Sequence, residues 1–550
     1  MLGCINNFCD GIYLSKILKE NLLVEYQENL QKKREVSLRT TDGAQGLPLG
    51  LIEISRDCIL PDSYADIKRI LSVSASLVPS NGYAEGGKAF YAGELLCRVL
   101  FVSDEGKNCS VPFTLEYEGS APLGSADGEY TAVFMPNLES VNARSVNPRK
   151  IGIKAKVNPG LFTWERRDAS VRFPSQLTRA DIESFEEKNE EISYLSLRHK
   201  AVSGIESGDD IRIEAPMGAV GEVLFCDITF SGVRCEARKD AVAVNATADV
   251  TVAFREDGKD DTSLRFLHHA ISLSSLVPCE GACEGDLCLA SLYCEKISCV
   301  PAENAQGEKR ILELDFSYGI QAICECRETM LAVKDMYSTR YECENTEGEI
   351  RISRSVGKQI LSHRCTKEAS FKENGSVMGM IPAVKGVYLT LGDDRKGIAE
   401  GTLLAYVLIL EEDGSMVCET VDLPFSLPTD LSFSEKPECF LRAMPENGKA
   451  TLLDGKLTVE IPMTVSILAW ENVKERVIFS SAVLAETEKR DESAFTVYFP
   501  TANESLWDIA KKYKISTDRL FLTGGENGGV GRRALILPPK SKEIFSGVIS

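Results

Sequence analysis

The chain has 550 residues, 43 % of them hydrophobic and 26 % charged, the composition of a folded globular protein with length for about three to five domains. Its 62 basic and 82 acidic residues leave a formal net charge of −20, which argues against phosphate-backbone binding, so no nucleic-acid partner is expected. The N-terminus lacks a basic segment followed by an apolar core, and no apolar run is long enough to span a bilayer, so neither an export signal nor a transmembrane segment is expected. The 18 cysteines have no disulfide-framework spacing and predict reduced thiols in a cytoplasmic chain.

Residues 1–34 read as a helical segment, with Ile12, Leu14, Ile17, Leu18, Leu22 and Leu23 near helical spacing. Such a stripe packs on its own domain or docks a partner. Beyond it, one stretch is written three times: GELLCRVLFVSDEG at 93–106, NATADVTVAFREDG at 245–258 and GTLLAYVLILEEDG at 401–414. The turn glycines Gly106, Gly258 and Gly414 are 152 and 156 residues apart (258 − 106 and 414 − 258), the period of a whole domain rather than of a solenoid unit. In the second copy Val250, Val252 and Phe254 alternate with Asp249, Thr251 and Ala253, the period of a half-buried strand. Each turn is acidic and ends in glycine, which predicts a solvated hairpin tip rather than a calcium or acid–base site. A second strand follows each turn and carries Phe113, Phe266 or Phe425.

These copies divide the chain into repeats at 35–183, 184–348 and 349–486. In the first, Pro61 and Asp62 start a turn, and the apolar residues after Ile67 predict a short helical turn leading into a strand. The acidic stretch 178–191 reads as a helix or linker with a solvated face. In the second, 311–325 reads as a pair of strands. The expected fold is mainly β, three tandem antiparallel β-sandwich-like repeats.

The densest cysteine cluster is Cys279, Cys283, Cys288, Cys294 and Cys299. It contains no C-x-x-C pair and predicts free thiols, not a metal site. Cys324 and Cys326 would share one face of a strand. The four histidines, His199, His268, His269 and His363, sit beside no nucleophile motif, and no P-loop, G-x-S-x-G, H-E-x-x-H or dinucleotide fingerprint occurs. No catalytic residue and no cofactor are expected, and repeated scaffolding is the simpler reading.

After residue 486 the pattern changes to strand, helix, short helix and strand. Asn503, Glu504 and Ser505 open the first helix with capping chemistry, and Leu506, Ile509, Ala510 and Tyr513 form its apolar stripe. Thr517 and Asp518 start the second helix, and Ala534 to Pro539 form a strand stopped by proline. Trp507 reads as a core aromatic or as a binding aromatic.

Residues 491–550 resemble a LysM module, on Glu504-Ser505-Leu506-Trp507, Asp508-Ile509-Ala510-Lys511-Lys512-Tyr513 and the closing Leu535-Ile536-Leu537-Pro538. The resemblance implies a βααβ fold and a groove for N-acetylglucosamine-containing glycan. That groove would be formed by Thr501, Ala502, Asn503 and Glu504 on one side and Thr523, Gly524, Gly525 and Glu526 on the other. The chain has Asn503-Glu504 where the family usually has Gly-Asp, and Thr523-Gly524 where it usually has Asn. In the repeats, Leu60-Pro61-Asp62-Ser63-Tyr64-Ala65-Asp66-Ile67 followed by Ile70-Leu71 is similar to the opening of the SPOCS domain, with Ala65 in place of its second proline. Several SPOCS copies ending in a LysM resemble SipL-type spore-coat morphogenetic proteins. This implies a non-enzymatic adaptor in the mother-cell cytoplasm, at the forespore surface or spore coat, which links a SpoIVA-like coat ATPase to that surface. The alternative is a wall protein binding peptidoglycan- or chitin-type glycan.

Overall fold

The computed structural model describes residues 39–41, 45–46, 50–123, 129–168, 170–258, 264–371, 375–412, 414–487, 496–501, 504–518 and 535–537. The helical segment expected at 1–34 lies outside the described residues. The fold is mainly β, built from several antiparallel sheets.

The first segment contains β1 (Arg39–Thr41), β2 (Gln45–Gly46), β3 (Ile52–Ile59), β4 (Ile67–Glu85), β5 (Lys88–Ser103), β6 (Asn108–Pro122), β7 (Glu129–Phe134), β8 (Asn137–Asn147), β9 (Lys150–Asn158) and β10 (Leu161–Asp168). Helix α1 (Arg179–Ile182) leads to β11 (Phe185–Arg212), β12 (Val220–Arg238), β13 (Ala241–Glu256), β14 (Leu264–Pro278), β15 (Leu287–Glu303) and β16 (Lys309–Ser338). The third segment contains β17 (Tyr341–Ser370), β18 (Gly375–Leu391), β19 (Lys396–Glu411), β20 (Met416–Ser432), β21 (Pro437–Pro445), β22 (Lys449–Leu453) and β23 (Lys456–Glu486). Last come β24 (Thr496–Tyr498), α2 (Leu506–Tyr513) and β25 (Leu535–Leu537).

The repeated stretch forms the same object each time. β4-β5-β6, β12-β13-β14 and β18-β19-β20 are three-stranded antiparallel sheets, with the repeated sequence on the central strand. Gly106 and Gly414 close their turns at φ +84° each and Gly258 follows β13 at φ +67°, a left-handed conformation that glycine adopts without Cβ strain. Among the described residues no atom lies within 4 Å of the Cβ that each glycine lacks, so conformation and not contact demands it. The inward residues Val99 and Phe101, Val252 and Phe254, and Val407 and Ile409 all anchor hydrophobic cores. Each core has a second wall. β3-β9-β8 supplies Ile151, Ile153, Ala155 and Val157 in the first segment. β16 supplies alternate residues from Leu312 to Cys326 in the second, and β23 those from Leu457 to Ala469 in the third.

Four expectations are corrected. The residues after Ile67 form no helical turn; β4 begins there, and bulges between Ile67 and Arg69 and between Ile70 and Ser72 each add a residue. A bulged strand spaces its apolar residues by three as a helix does. The acidic stretch 178–191 is a four-residue helix capped by Thr178, followed directly by strand β11; pairing with β16 prevails over local propensity. Residues 311–325 are one strand, not two. Gly319 makes no turn there; a Cβ on it would lie 2.3 Å from Cζ of Tyr293, whose ring covers the position. The three phenylalanines do lie on the strands that follow the turns, Phe113 facing Cys97, Phe266 facing Ala253 and Phe425 facing Gly401, at different distances from their turns. The boundary expected at 348/349 falls inside β17.

β11, β16, β17 and β23 are 28 to 31 residues long and join into one seven-stranded sheet of order β15-β16-β11-β17-β23-β21, with β22 also paired to β23. Near its middle this sheet is buried on both faces. Ile323, Leu468 and Trp470 point away from the segment cores into a shared cluster with Val133, Met135 and Trp164 of the first segment, Leu195, Leu197 and Leu289 of the second and Phe440 of the third. Phe162 stacks 4.3 Å from Phe440 and 5.7 Å from Trp470. A second shared cluster unites Leu100, Ala253 and Leu408 of the three central strands. Between the segments lies a cavity of about 410 Å³, walled by Leu77, Phe113, Ile228, Phe230, Ile381 and Val384. Asp227 in its wall accepts from Ser74 at 2.9 Å and pairs with Arg98 at 3.3 Å.

Glu325 is 2 % exposed at the junction of the second and third segments. Ser355 donates to one oxygen, and the other has no hydrogen-bond partner among the described residues. Burial pushes this carboxyl up to about 7. The folded protein therefore holds the proton at a pH where the unfolded chain releases it, and the stabilisation is present below the ordinary value of 4.5 and lost as pH rises to about 7. Wild type should lose about 3 kcal/mol relative to Glu325→Gln between about pH 5 and pH 8. Denaturant melts of both proteins across that range test this; a constant difference would refute it.

Candidate functional site on the C-terminal module

Sequence reasoning placed the candidate groove at eight positions. Of these, Thr501 and Glu504 belong to the described residues; Ala502, Asn503, Thr523, Gly524, Gly525 and Glu526 lie outside them. Around Thr501 and Glu504 the chain runs from β24, paired antiparallel with β25 through Val497 and Ile536, into α2. Ser505 caps α2, its hydroxyl accepting from the Asp508 N–H while the Asp508 carboxylate accepts from the Ser505 N–H. Asp508 in the first turn and Lys511 and Lys512 in the last complement the helix dipole. Lys514 ends the helix in the left-handed region at φ +52°.

Glu504 has a local structural task. Its carboxylate accepts from the Tyr498 hydroxyl at 2.7 Å and from the Thr501 N–H at 2.9 Å. These bonds hold it below the ordinary carboxylate range, the Thr501 backbone first and then Tyr498. The acid thus ties the strand-to-helix loop to β24. Thr501 is exposed, and Phe499 beside it is 72 % exposed.

The opposite side of α2 is docked. Ile509 and Ala510 are fully buried, together with Ile515 and with Tyr337 near the end of β16. Trp507 lies edge-on to Tyr337, 5.1 Å between ring centroids. Its indole N–H donates to Asp335 Oδ2 at 2.7 Å, and Lys511 Nζ donates to Asp335 Oδ1 at 2.6 Å. The Tyr337 hydroxyl donates to the Ile515 carbonyl at 2.7 Å, and Thr517 Oγ1 to Glu186 at 3.1 Å. Lys514 pairs with Glu342 at 3.3 Å. Trp507 therefore fastens the module to the end of the second segment. Asp335 and Tyr337 escaped sequence reasoning because they close a long strand about 170 positions before α2 and carry no local motif.

Burial pushes Asp335 up, but the hydrogen bonds from Lys511 and Trp507 and the Lys511 charge outweigh it and hold the carboxyl below its ordinary value of 3.8. Its contribution is complete at neutral pH and is lost only as pH falls below that value. Asp335→Ala leaves two donors without an acceptor and should weaken docking by about 2 kcal/mol. The check is Trp507 fluorescence with limited proteolysis near residue 490. Faster cleavage and altered emission are expected at unchanged stability of the body; unchanged cleavage would show that Asp335 does not hold the module.

Among known proteins, no family model matches the chain and no curated protein matches it.

Proposed function

We propose that the protein is a non-enzymatic assembly adaptor of the endospore coat. In this reading the three meanders, each with its facing strands, are three SPOCS-like sandwich repeats, and residues 491–550 are a LysM module. The module and repeats make protein contacts that link a SpoIVA-like coat ATPase to the forespore surface. The reading draws on the sequence resemblance to SipL-type proteins. The observation that carries it is the mounting of the module: α2 is docked on β16, while the Phe499–Thr501 side of the module stays exposed.

A module held at a fixed place on a large body presents its loop in one orientation and loses less entropy on binding than a tethered one. The body has open strand edges as well. Among the described residues β3 pairs only with β9 and β14 only with β13, and Ile59 and Leu276 beside these edges are 75 % and 62 % exposed. Unpaired strands of this kind accept a partner strand through main-chain hydrogen bonds.

A fluorescent fusion in sporulating cells of the source organism should form a shell around the forespore, lost on deletion of 491–550. Substitutions at Asn503 and Thr523 to Glu526 should weaken binding of the purified chain to the coat ATPase by at least tenfold without unfolding it. Signal at the vegetative wall, with retention on peptidoglycan and no affinity for the ATPase, would replace this reading with glycan binding.

A further inference from the structure

We propose that Cys324, Cys326 and Asp286, completed by Cys279, form a binding site for one thiophilic divalent metal ion, zinc in the first instance. This rests on the second segment alone and is independent of the adaptor reading.

The site is assembled from two elements. Cys324 and Cys326 stand two apart on β16, so both side chains leave the same face, into the core of the second segment. They are 0 % and 4 % exposed. Asp286 comes from the loop between β14 and β15. Its Oδ2 accepts from the Cys283 N–H at 2.8 Å, and its own N–H donates to the Cys283 carbonyl at 3.2 Å. This turn aims the carboxylate at the thiols, and one ligand atom from each of Asp286, Cys324 and Cys326 lies within 4.8 Å of the others. In a tetrahedral zinc site with Zn–S near 2.3 Å, sulfur atoms are about 3.8 Å apart. The three groups need to close by less than about an ångström to share one ion.

Cys279 begins the same loop and is 3 % exposed. Its N–H donates to the Asp240 carbonyl at 2.9 Å, and the loop returns when Ala282 accepts from the Asp240 N–H at 2.8 Å. Cys279 lies outside the trio whose ligand atoms meet within 4.8 Å, so completing the set takes a movement of this loop, which also carries Asp286. Cys288, directly across from Cys324 in β15, is the other nearby thiol. Cys288 is held in strand β15, whereas Cys279 sits on the loop that also carries Asp286 and closes with it, so Cys279 is taken as the fourth ligand.

A second observation is a buried N–H donor aimed at this place. Arg198 faces Cys324 from β11, and its guanidinium runs under the loop, with Nε 3.6 Å from the Cβ that Gly281 lacks. The guanidinium Nη2 is paired with Glu328 at 2.5 Å, while the Nε is buried without a hydrogen-bond partner among the described residues. A metal bound by three thiolates and a carboxylate carries net negative charge, and a buried cationic N–H beside it answers that charge. Each thiol releases its proton to solvent on binding, with no change of oxidation state. The spacing of 279, 286, 324 and 326 has no short motif, and only the meeting of loop and strand reveals the set.

The test uses the full chain, purified under reducing conditions, with zinc content measured and Co²⁺ titrated as a spectroscopic probe. One equivalent of zinc per chain is expected, as is a thiolate-to-cobalt charge-transfer band with the visible bands of tetrahedral cobalt. Cys324→Ser, Cys326→Ser and Asp286→Asn should each lower zinc affinity at least tenfold. Cys283→Ser, exposed on the same loop, should leave it unchanged. Cys279→Ser should lower affinity where Cys288→Ser does not; the reverse result would replace Cys279 by Cys288 and overturn that assignment. Should a buried-thiol variant fail to fold, the wild-type cobalt spectrum and Asp286→Asn at the loop surface decide the matter. Cobalt bound without a thiolate band, or zinc held equally by wild type and Asp286→Asn, overturns the site.

Discussion

The body of this protein depends on burying both faces of one sheet. β16 and β23 each send alternate residues into a segment core and the intervening ones into a cluster shared by all three segments. Trp470, fully buried, is the centre of that second layer, with Phe440 at 5.0 Å and Phe162 at 5.7 Å. A strand with one wet face would leave these rings in water, and each is worth about 2–3 kcal/mol on burial. The segments are therefore not beads on a string, because within their own segment Trp470 and Leu468 are covered by Phe440, and the rest of their apolar cover comes from Trp164 and Phe162 of the first segment and Leu195 of the second.

That arrangement explains which polar groups the body keeps inside. Gln321 and Glu325 alternate with Ile323 on the same face of β16, so they too are carried into the junction. Gln321 Nε2 donates to the Phe134 carbonyl of the first segment at 3.0 Å, and Glu325 accepts from Ser355 of the third. Arg442 donates to Asn137 of the first at 2.7 Å. Apolar contact alone tolerates sliding, whereas these bonds are satisfied in one relative placement of the segments. Burial makes the Glu325 carboxyl a neutral donor or acceptor over much of the acidic range, which is why it can sit there at all.

Local chemistry made part of this legible beforehand. An acidic turn ending in glycine, preceded by Val, Leu and Phe with period two, can be little other than a hairpin, and all three hairpins are present. The capping of α2 by Ser505 with Asp508 was equally local. What sequence could not show is set by pairing at a distance. The bulges in β4 imitate helical spacing, and β11 is a strand because β16 lies beside it, although its acidic start favours helix. The sequence also marks Trp507 as an aromatic on an amphipathic helix, but its partners Tyr337 and Asp335 are selected by tertiary placement alone. Of the groove positions among the described residues, Glu504 is tied to its own loop.

The two kinds of joint in the molecule are physically different, and the difference assigns them different roles. The joint between segments is made of Trp, Phe, Leu and Ile side chains at or near zero exposure, so opening it would expose a large apolar surface at a cost comparable to unfolding a segment. The joint between module and body buries Ile509, Ala510, Ile515 and Tyr337, but its direction is given by one carboxylate shared between an indole and an ammonium group. Such a contact is replaced by water at far lower cost, and Asp335 and Lys511 are partly solvated already. The module is consequently the part that can leave without dismantling the rest. A partner that competes for Trp507 or Asp335 would meet a body still folded, whereas one that competes for Trp470 would have to unfold it first.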